Sequence, residues 1–301
     1  DPANARSHFE RGLTLARLGR HLEAIQAFDQ SLSLIPNYVP AFYNKGLALM
    51  ATGMQEEAVL SFNIALEILP DDPAVLYQKG LALMRLESYE DAISAFDAAL
   101  AIDAQKTEYP YQKGLALAAL GRHDEAEAAF SAALARDKDN QDALYHKGLS
   151  LAELGRFSEA IEDLTKTLER NQKIANAWLI QGFCLFAVER YSDALASYDK
   201  ALELEAHNPH TWFYKGRACL NLGNDSDAVL AFEQAIKIVP DFGEAFHYMG
   251  LALFRQKKLA EAAVAFEEAN RLMPDFPEAF QEKGRALFAL GRYREAATAF
   301  E

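Results

Sequence analysis

The sequence predicts an all-α fold, a solenoid of helix–turn–helix units that recur every 34 residues. Three ladders in one register carry that prediction. Glycine stands at Gly12, Gly46, Gly80, Gly114, Gly148, Gly182, Gly216, Gly250 and Gly284, each 34 residues after the last. Twelve residues beyond each glycine is an alanine, from Ala24 and Ala58 through to Ala296. Four residues further comes a large apolar side chain: Phe28, Phe62, Phe96, Phe130, Leu164, Tyr198, Phe232, Phe266 or Phe300. With the glycine counted as the eighth position, eight full repeats run 5–38, 39–72, 73–106, 107–140, 141–174, 175–208, 209–242 and 243–276. A truncated ninth occupies 277–301, so the chain reads as a single array over 1–301.

The elements of a unit follow in order. Apolar residues fall at helical spacing around the glycine, as in Leu81, Leu83 and Leu86, and again around the alanine, as in Ala92, Ile93, Phe96 and Leu100. These are two amphipathic helices, A and B. Helix A is expected to stop at Gly19, Gly53, Gly121, Gly155, Gly223 and Gly291, which supply the left-handed backbone that a helix end favours. Helix B is expected to stop near Pro36, Pro70, Pro240 and Pro274. Repeats three to six carry Ala104, Lys138, Gln172 and Ala206 there, and their turns are expected to be longer or looser. The small residues have a packing reason, because glycine in helix A and alanine in helix B let the helices approach while the aromatic knob enters between them.

These ladders resemble the tetratricopeptide repeat, whose pattern is W-x2-L-G-x2-Y, then A-x3-F, then P. The resemblance covers the whole chain, with Trp178 and Trp212 at the fourth position and Phe42, Phe246 and Phe280 as aromatic substitutes. It implies a right-handed superhelical array. Two departures stand out. The seventh position is Lys rather than Leu in Lys45, Lys79, Lys113, Lys147, Lys215 and Lys283, where the stem is expected to cover apolar surface while the ammonium reaches water. Pro110 at a fourth position is tolerated only in a first turn, so helix A of repeat four is expected to start late. Asp1-Pro2 reads as the tail of a preceding repeat and Glu301 falls inside a helix, so the chain is expected to be a piece of a longer array.

Composition narrows the function. The net charge of −14 argues against nucleic acid, because phosphate binding needs clustered Lys and Arg. Nine of the acids, from Glu23 and Glu57 to Glu295, precede the ladder alanines in the first turn of helix B, where a carboxylate suits the helix dipole. Without them 35 acids face 30 bases, so most of the acidity is architectural. No apolar stretch approaches the length of a membrane-spanning helix. Two cysteines, Cys184 and Cys219, favour a reducing, cytoplasmic setting and buried packing roles. No cofactor is expected. Only His207 and His210 are close among the histidines, so no metal constellation is visible, and no phosphate loop or nucleophile motif points to an enzyme.

One constellation rises above this background. The fifth position carries Tyr43, Tyr77, Tyr111, Tyr145 and Phe213; the ninth carries Leu47, Leu81, Leu115, Leu149 and Phe183; the twelfth adds Met50, Met84 and Phe186. The resemblance implies that these positions line a concave inner wall, with Arg85, Glu108, Asp142, Glu153 and Arg217 nearby. Two readings follow: an apolar, aromatic groove that binds a peptide or amphipathic helix of a protein partner, or side chains that pack on the next A helix and leave little exposed. The Lys and Asn that clamp chaperone tails in some family members are absent from the fifth and ninth positions. The alternative role is a spacer or self-assembling module that associates through its ends or convex face.

Overall fold

The computed structural model describes residues 2–300, which form eighteen helices and no strand. The A helices are α1 (Pro2–Arg17), α3 (Val39–Ala51), α5 (Pro73–Arg85), α7 (Glu108–Ala119), α9 (Gln141–Glu153), α11 (Ala175–Ala187), α13 (Pro209–Asn221), α15 (Gly243–Arg255) and α17 (Pro277–Ala289). The B helices are α2 (His21–Leu34), α4 (Gln55–Ile68), α6 (Tyr89–Ile102), α8 (His123–Arg136), α10 (Phe157–Arg170), α12 (Tyr191–Leu204), α14 (Asp225–Ile238), α16 (Leu259–Leu272) and α18 (Tyr293–Phe300). The chain divides into two compact units, Asp1–Leu154 and Gly155–Glu301. Within each, successive helices pack side by side, A on B and B on the next A.

The three ladders are the core. The ladder alanines are buried, as are the knobs from Phe28 to Phe266. In every repeat but the fifth, whose knob is Leu164, the knob ring lies close against the glycine of its own repeat: a Cβ placed on Gly114 would fall 2.6 Å from Cε1 of Phe130, and one on Gly216 2.6 Å from Cε1 of Phe232. Glycine is therefore required in mid-helix at a site where any side chain would displace the ring.

The turn between helices A and B is the same in all repeats, whatever residue it contains. The six predicted glycines have φ between 72° and 82°, and Glu87, Glu189 and Lys257 occupy the equivalent place at 59°, 61° and 64°. The turn after helix B is longer, as expected, in repeat three, where 103–107 separate α6 from α7, but the expectation is corrected in repeats four to six: the turns at 137–140, 171–174 and 205–208 are no longer than those at 35–38 and 69–72. In repeats three to five an Asx turn replaces the proline. Asp103 accepts from the Gln105 N–H at 3.2 Å, Asp137 from the Asp139 N–H at 3.0 Å and Asn171 from the Lys173 N–H at 3.0 Å, each one residue before the missing proline. In repeats five and six the next repeat adds a brace, since the indoles of Trp178 and Trp212 donate to the carbonyls of Gln172 and Ala206 at 2.9 Å.

Helix A of repeat four does start one residue late, with Pro110 third in α7 and buried. At the other end, α1 already includes Pro2, which was expected to be a tail, because a proline in the first turn forfeits no helical hydrogen bond. Asp1 and Glu301 lie outside the described residues.

Five of the six seventh-position lysines reach back to the B helix of the preceding repeat: Lys45 to Asp29, Lys113 to Asp97 and Lys215 to Asp199, each at 2.6 Å, and Lys283 to Glu267 at 3.4 Å. Lys147, which faces Ser131 at that register, pairs with Glu127 at 3.5 Å. In repeat six Gln181 takes the place of lysine and joins Thr165 and Ser197 by hydrogen bonds of 2.9 and 3.0 Å.

Candidate functional site

The A-helix wall is built on the knobs beneath it. In the first unit the rings of Tyr43, Tyr77 and Tyr111 stand 6.2, 5.9 and 6.0 Å from Phe62, Phe96 and Phe130 of their own repeats. Two of them also touch the following A helix, Tyr77 through Tyr109 at 5.2 Å and Tyr111 through His146 at 6.0 Å. The side chains of Tyr43, Tyr77, Tyr111 and Tyr145, with Leu47, Leu81, Leu115, Leu149 and Met84, are half-buried, neither sealed in the core nor free in water. Met50 is buried, so it supports the wall from behind. The tyrosines thus pack on the core and remain partly exposed.

Burial raises the phenol pKa values of Tyr43, Tyr77 and Tyr111, with Asp72, Glu108 and Asp142 adding to the effect in that order; Tyr111 is pushed up to about 12. Near neutrality each hydroxyl therefore keeps its proton and can donate a hydrogen bond. The wall can desolvate apolar side chains and offer donors, but it holds no nucleophile.

The A helices of the second unit carry different side chains at these positions. Phe183 and Phe186 are half-buried, whereas Phe213 is 8% exposed and belongs to the core. Arg217, at the ninth position where the first unit has leucine, sets its guanidinium over three rings: 4.9 Å from Phe186, 5.0 Å from Tyr248 and 5.8 Å from Phe213. The Cys184 and Cys219 thiols are free and buried, and burial pushes them up to about 12 and about 11, so both keep their protons near neutral pH.

On the B-helix side, at positions to which the sequence assigns no role, clefts open between consecutive repeats. One of about 320 Å³ lies beside Phe42, Lys45 and Leu60, one of about 640 Å³ beside Trp212, Lys215 and Leu230, and one of about 390 Å³ beside Phe280, Lys283 and Val264. The signal available was the exposed apolar residue two positions after the ladder alanine, where Leu60, Leu230 and Val264 are 62%, 58% and 64% exposed.

Among the described residues no group of three or more His, Cys, Asp or Glu side chains is placed to hold a metal ion, and no helix is long and apolar enough to cross a membrane. Helical hairpins in a fixed 34-residue register define a repeat scaffold. Models of the tetratricopeptide repeat match residues 43–107, 111–173, 147–204 and 185–241, and a second such model matches 5–38 and 243–276. The chain belongs to the tetratricopeptide repeat family, and is in general terms a protein-interaction scaffold of a kind typically without enzymatic activity.

Solved structures agree on the fold. The C-terminal part of a repeat protein from Cytophaga hutchinsonii aligns with a TM-score of 0.66 at 19% identity, over 80% of this chain and 98% of that one. MamA aligns at 0.52 and 25% identity over 55% of this chain and 96% of its own. YrrB, described as a TPR protein with an unusual peptide-binding site, aligns at 0.57 and 24% over 62% and 96%. Comparison with curated proteins gave no match.

Proposed function

We propose that the chain binds an extended segment or amphipathic helix of a protein partner along the A-helix wall of its first unit. The observation that carries this is the repeated half-buried pair of a tyrosine and a leucine one turn on: Tyr43 with Leu47, Tyr77 with Leu81, Tyr111 with Leu115 and Tyr145 with Leu149. Aromatic rings fixed on a rigid core lose little entropy on contact, and their protonated hydroxyls can meet peptide carbonyls. A stable interface needs roughly 800 Å² from each partner, so the ligand would have to cover several of these pairs. YrrB supplies an example of a peptide site on the same fold.

The test is affinity capture from lysate with the 301-residue chain and with its Leu81→Asp/Leu115→Asp variant, after circular dichroism has shown the variant to be folded. A protein held by the first and lost from the second supports the wall as the site. Equal capture by both, or none by either, counts against it.

A further inference from the structure

We infer that the B-helix faces of repeats two and seven are each a docking site, built for a cationic amphipathic helix of a partner: an apolar side chain enters the cleft and a neighbouring Lys or Arg meets Glu57 or Asp227. These sites are separate from the A-helix wall and do not rest on the peptide reading of it.

In repeats one, four, five, six and nine an arginine just before helix B pairs with the acid three residues on: Arg20 with Glu23, Arg122 with Glu125, Arg156 with Glu159, Arg190 with Asp193 and Arg292 with Glu295, all within 2.7 Å. In those repeats the outward residue three positions after the acid is polar or small: Gln26, Ala128, Glu162, Ala196 or Thr298. Repeats two and seven reverse both choices. Met54 and Asn224 replace the arginine, and the outward residue becomes Leu60 or Leu230. Repeat eight, with Val264, likewise has Lys258 in place of the arginine.

The clefts show what this leaves uncompensated. In the cleft of repeats six and seven, Lys215 is taken by Asp199 at 2.6 Å and by the Trp212 ring at 5.1 Å, so the remaining charge is that of Asp227 beside Leu230. In the cleft of repeats one and two, Lys45 is taken by Asp29 at 2.6 Å, and Glu57 remains beside Leu60 and Ile64. The cleft of repeats eight and nine is the internal contrast, because Lys283 pairs with Glu267 and Arg292 with Glu295, which leaves it neutral. The first two clefts therefore combine an open apolar wall with one uncompensated carboxylate. Cys219 at the floor, where the other clefts have Leu49 and Leu287, accompanies the larger volume of about 640 Å³. The complement of such a surface is an apolar ridge flanked by positive charge. The net charge of −14 on this chain disfavours a second copy as the occupant.

The probe is a fluorescent amphipathic helical peptide with a leucine ridge flanked by lysines, titrated calorimetrically into the 301-residue chain at moderate salt. A matched peptide with glutamates in place of the lysines serves as control. The expected result is two equivalents bound by the native chain, one by Asn224→Arg and none by Met54→Arg/Asn224→Arg, since each arginine restores the pair seen in the other repeats. Leu60→Ala/Leu230→Ala, altered only at exposed side chains, is expected to weaken binding at least tenfold. Leu81→Asp/Leu115→Asp is expected to keep both equivalents, which separates these sites from the A-helix wall. Unchanged stoichiometry in both arginine variants, equal binding of the glutamate peptide, or native-chain dimers that the double arginine variant abolishes would each overturn the inference.

Discussion

Gly114 and Phe130, on the two helices of one repeat, meet so closely that a methyl group on the first would fall 2.6 Å from the ring of the second. Alanine is the better helix former by about 1 kcal/mol, yet here overpacking outweighs that gain. Gly114→Ala is expected to lower stability by about 1–2 kcal/mol in urea unfolding. Phe130→Ala, which empties the same contact, is expected to cost about 3–5 kcal/mol.

Glu87, Glu189 and Lys257 hold the left-handed turn that glycine holds elsewhere, at φ of 59°, 61° and 64°. A side chain in that conformation is strained by roughly 1–2 kcal/mol, against which glycine carries a larger entropy loss on folding. Replacing any one of them by glycine is expected to raise stability by about 0.5–1 kcal/mol, read from the urea midpoint at unchanged slope.

The spans of the helices were legible because each depends on residues close in sequence: the 34-residue glycine ladder, the αL glycines and the alanine–aromatic pairs. What escaped depends on partners far apart or on substitutes of different chemistry. Nothing in the local sequence around Lys113 points to Asp97, because the pair forms only once one repeat is laid on the next. The Asx turns of Asp103, Asp137 and Asn171 went unread because they do the work of a proline that stands one place later in other repeats. For the candidate wall, residue type was readable and depth was not. Tyr111 and Phe213 share a position, but one is half-buried and the other is in the core.

Tyr198 is the only tyrosine among the knobs, and its hydroxyl is buried with no hydrogen-bond partner. An unmet buried hydroxyl costs about 1–3 kcal/mol, so Tyr198→Phe is expected to stabilise the protein by about 1 kcal/mol in thermal unfolding. A loss of stability would mean that the hydroxyl is satisfied in solution.

His247 is 7% exposed, against Tyr248, Phe266 and Phe276, and burial lowers its pKa despite Glu282 and Glu278 nearby. The folded state therefore takes up this proton at lower pH than the unfolded chain does. Its contribution is neutral above the ordinary histidine range, and stability falls as the pH drops through about 6.5. Urea unfolding at pH 7.5 and pH 5.5 is expected to show this loss, and His247→Phe to reduce it. An unchanged pH dependence in the variant would remove His247 as the cause.

The central claim, that the A-helix wall of the first unit receives a partner, is tested most directly by photo-crosslinking from defined positions. A photoreactive phenylalanine analogue is placed at Leu115 on the wall or, in a second protein, at Ala128 on the exposed face of α8. The account predicts a discrete adduct with a captured protein from position 115 and none from position 128. The same adduct from position 128 alone would contradict it.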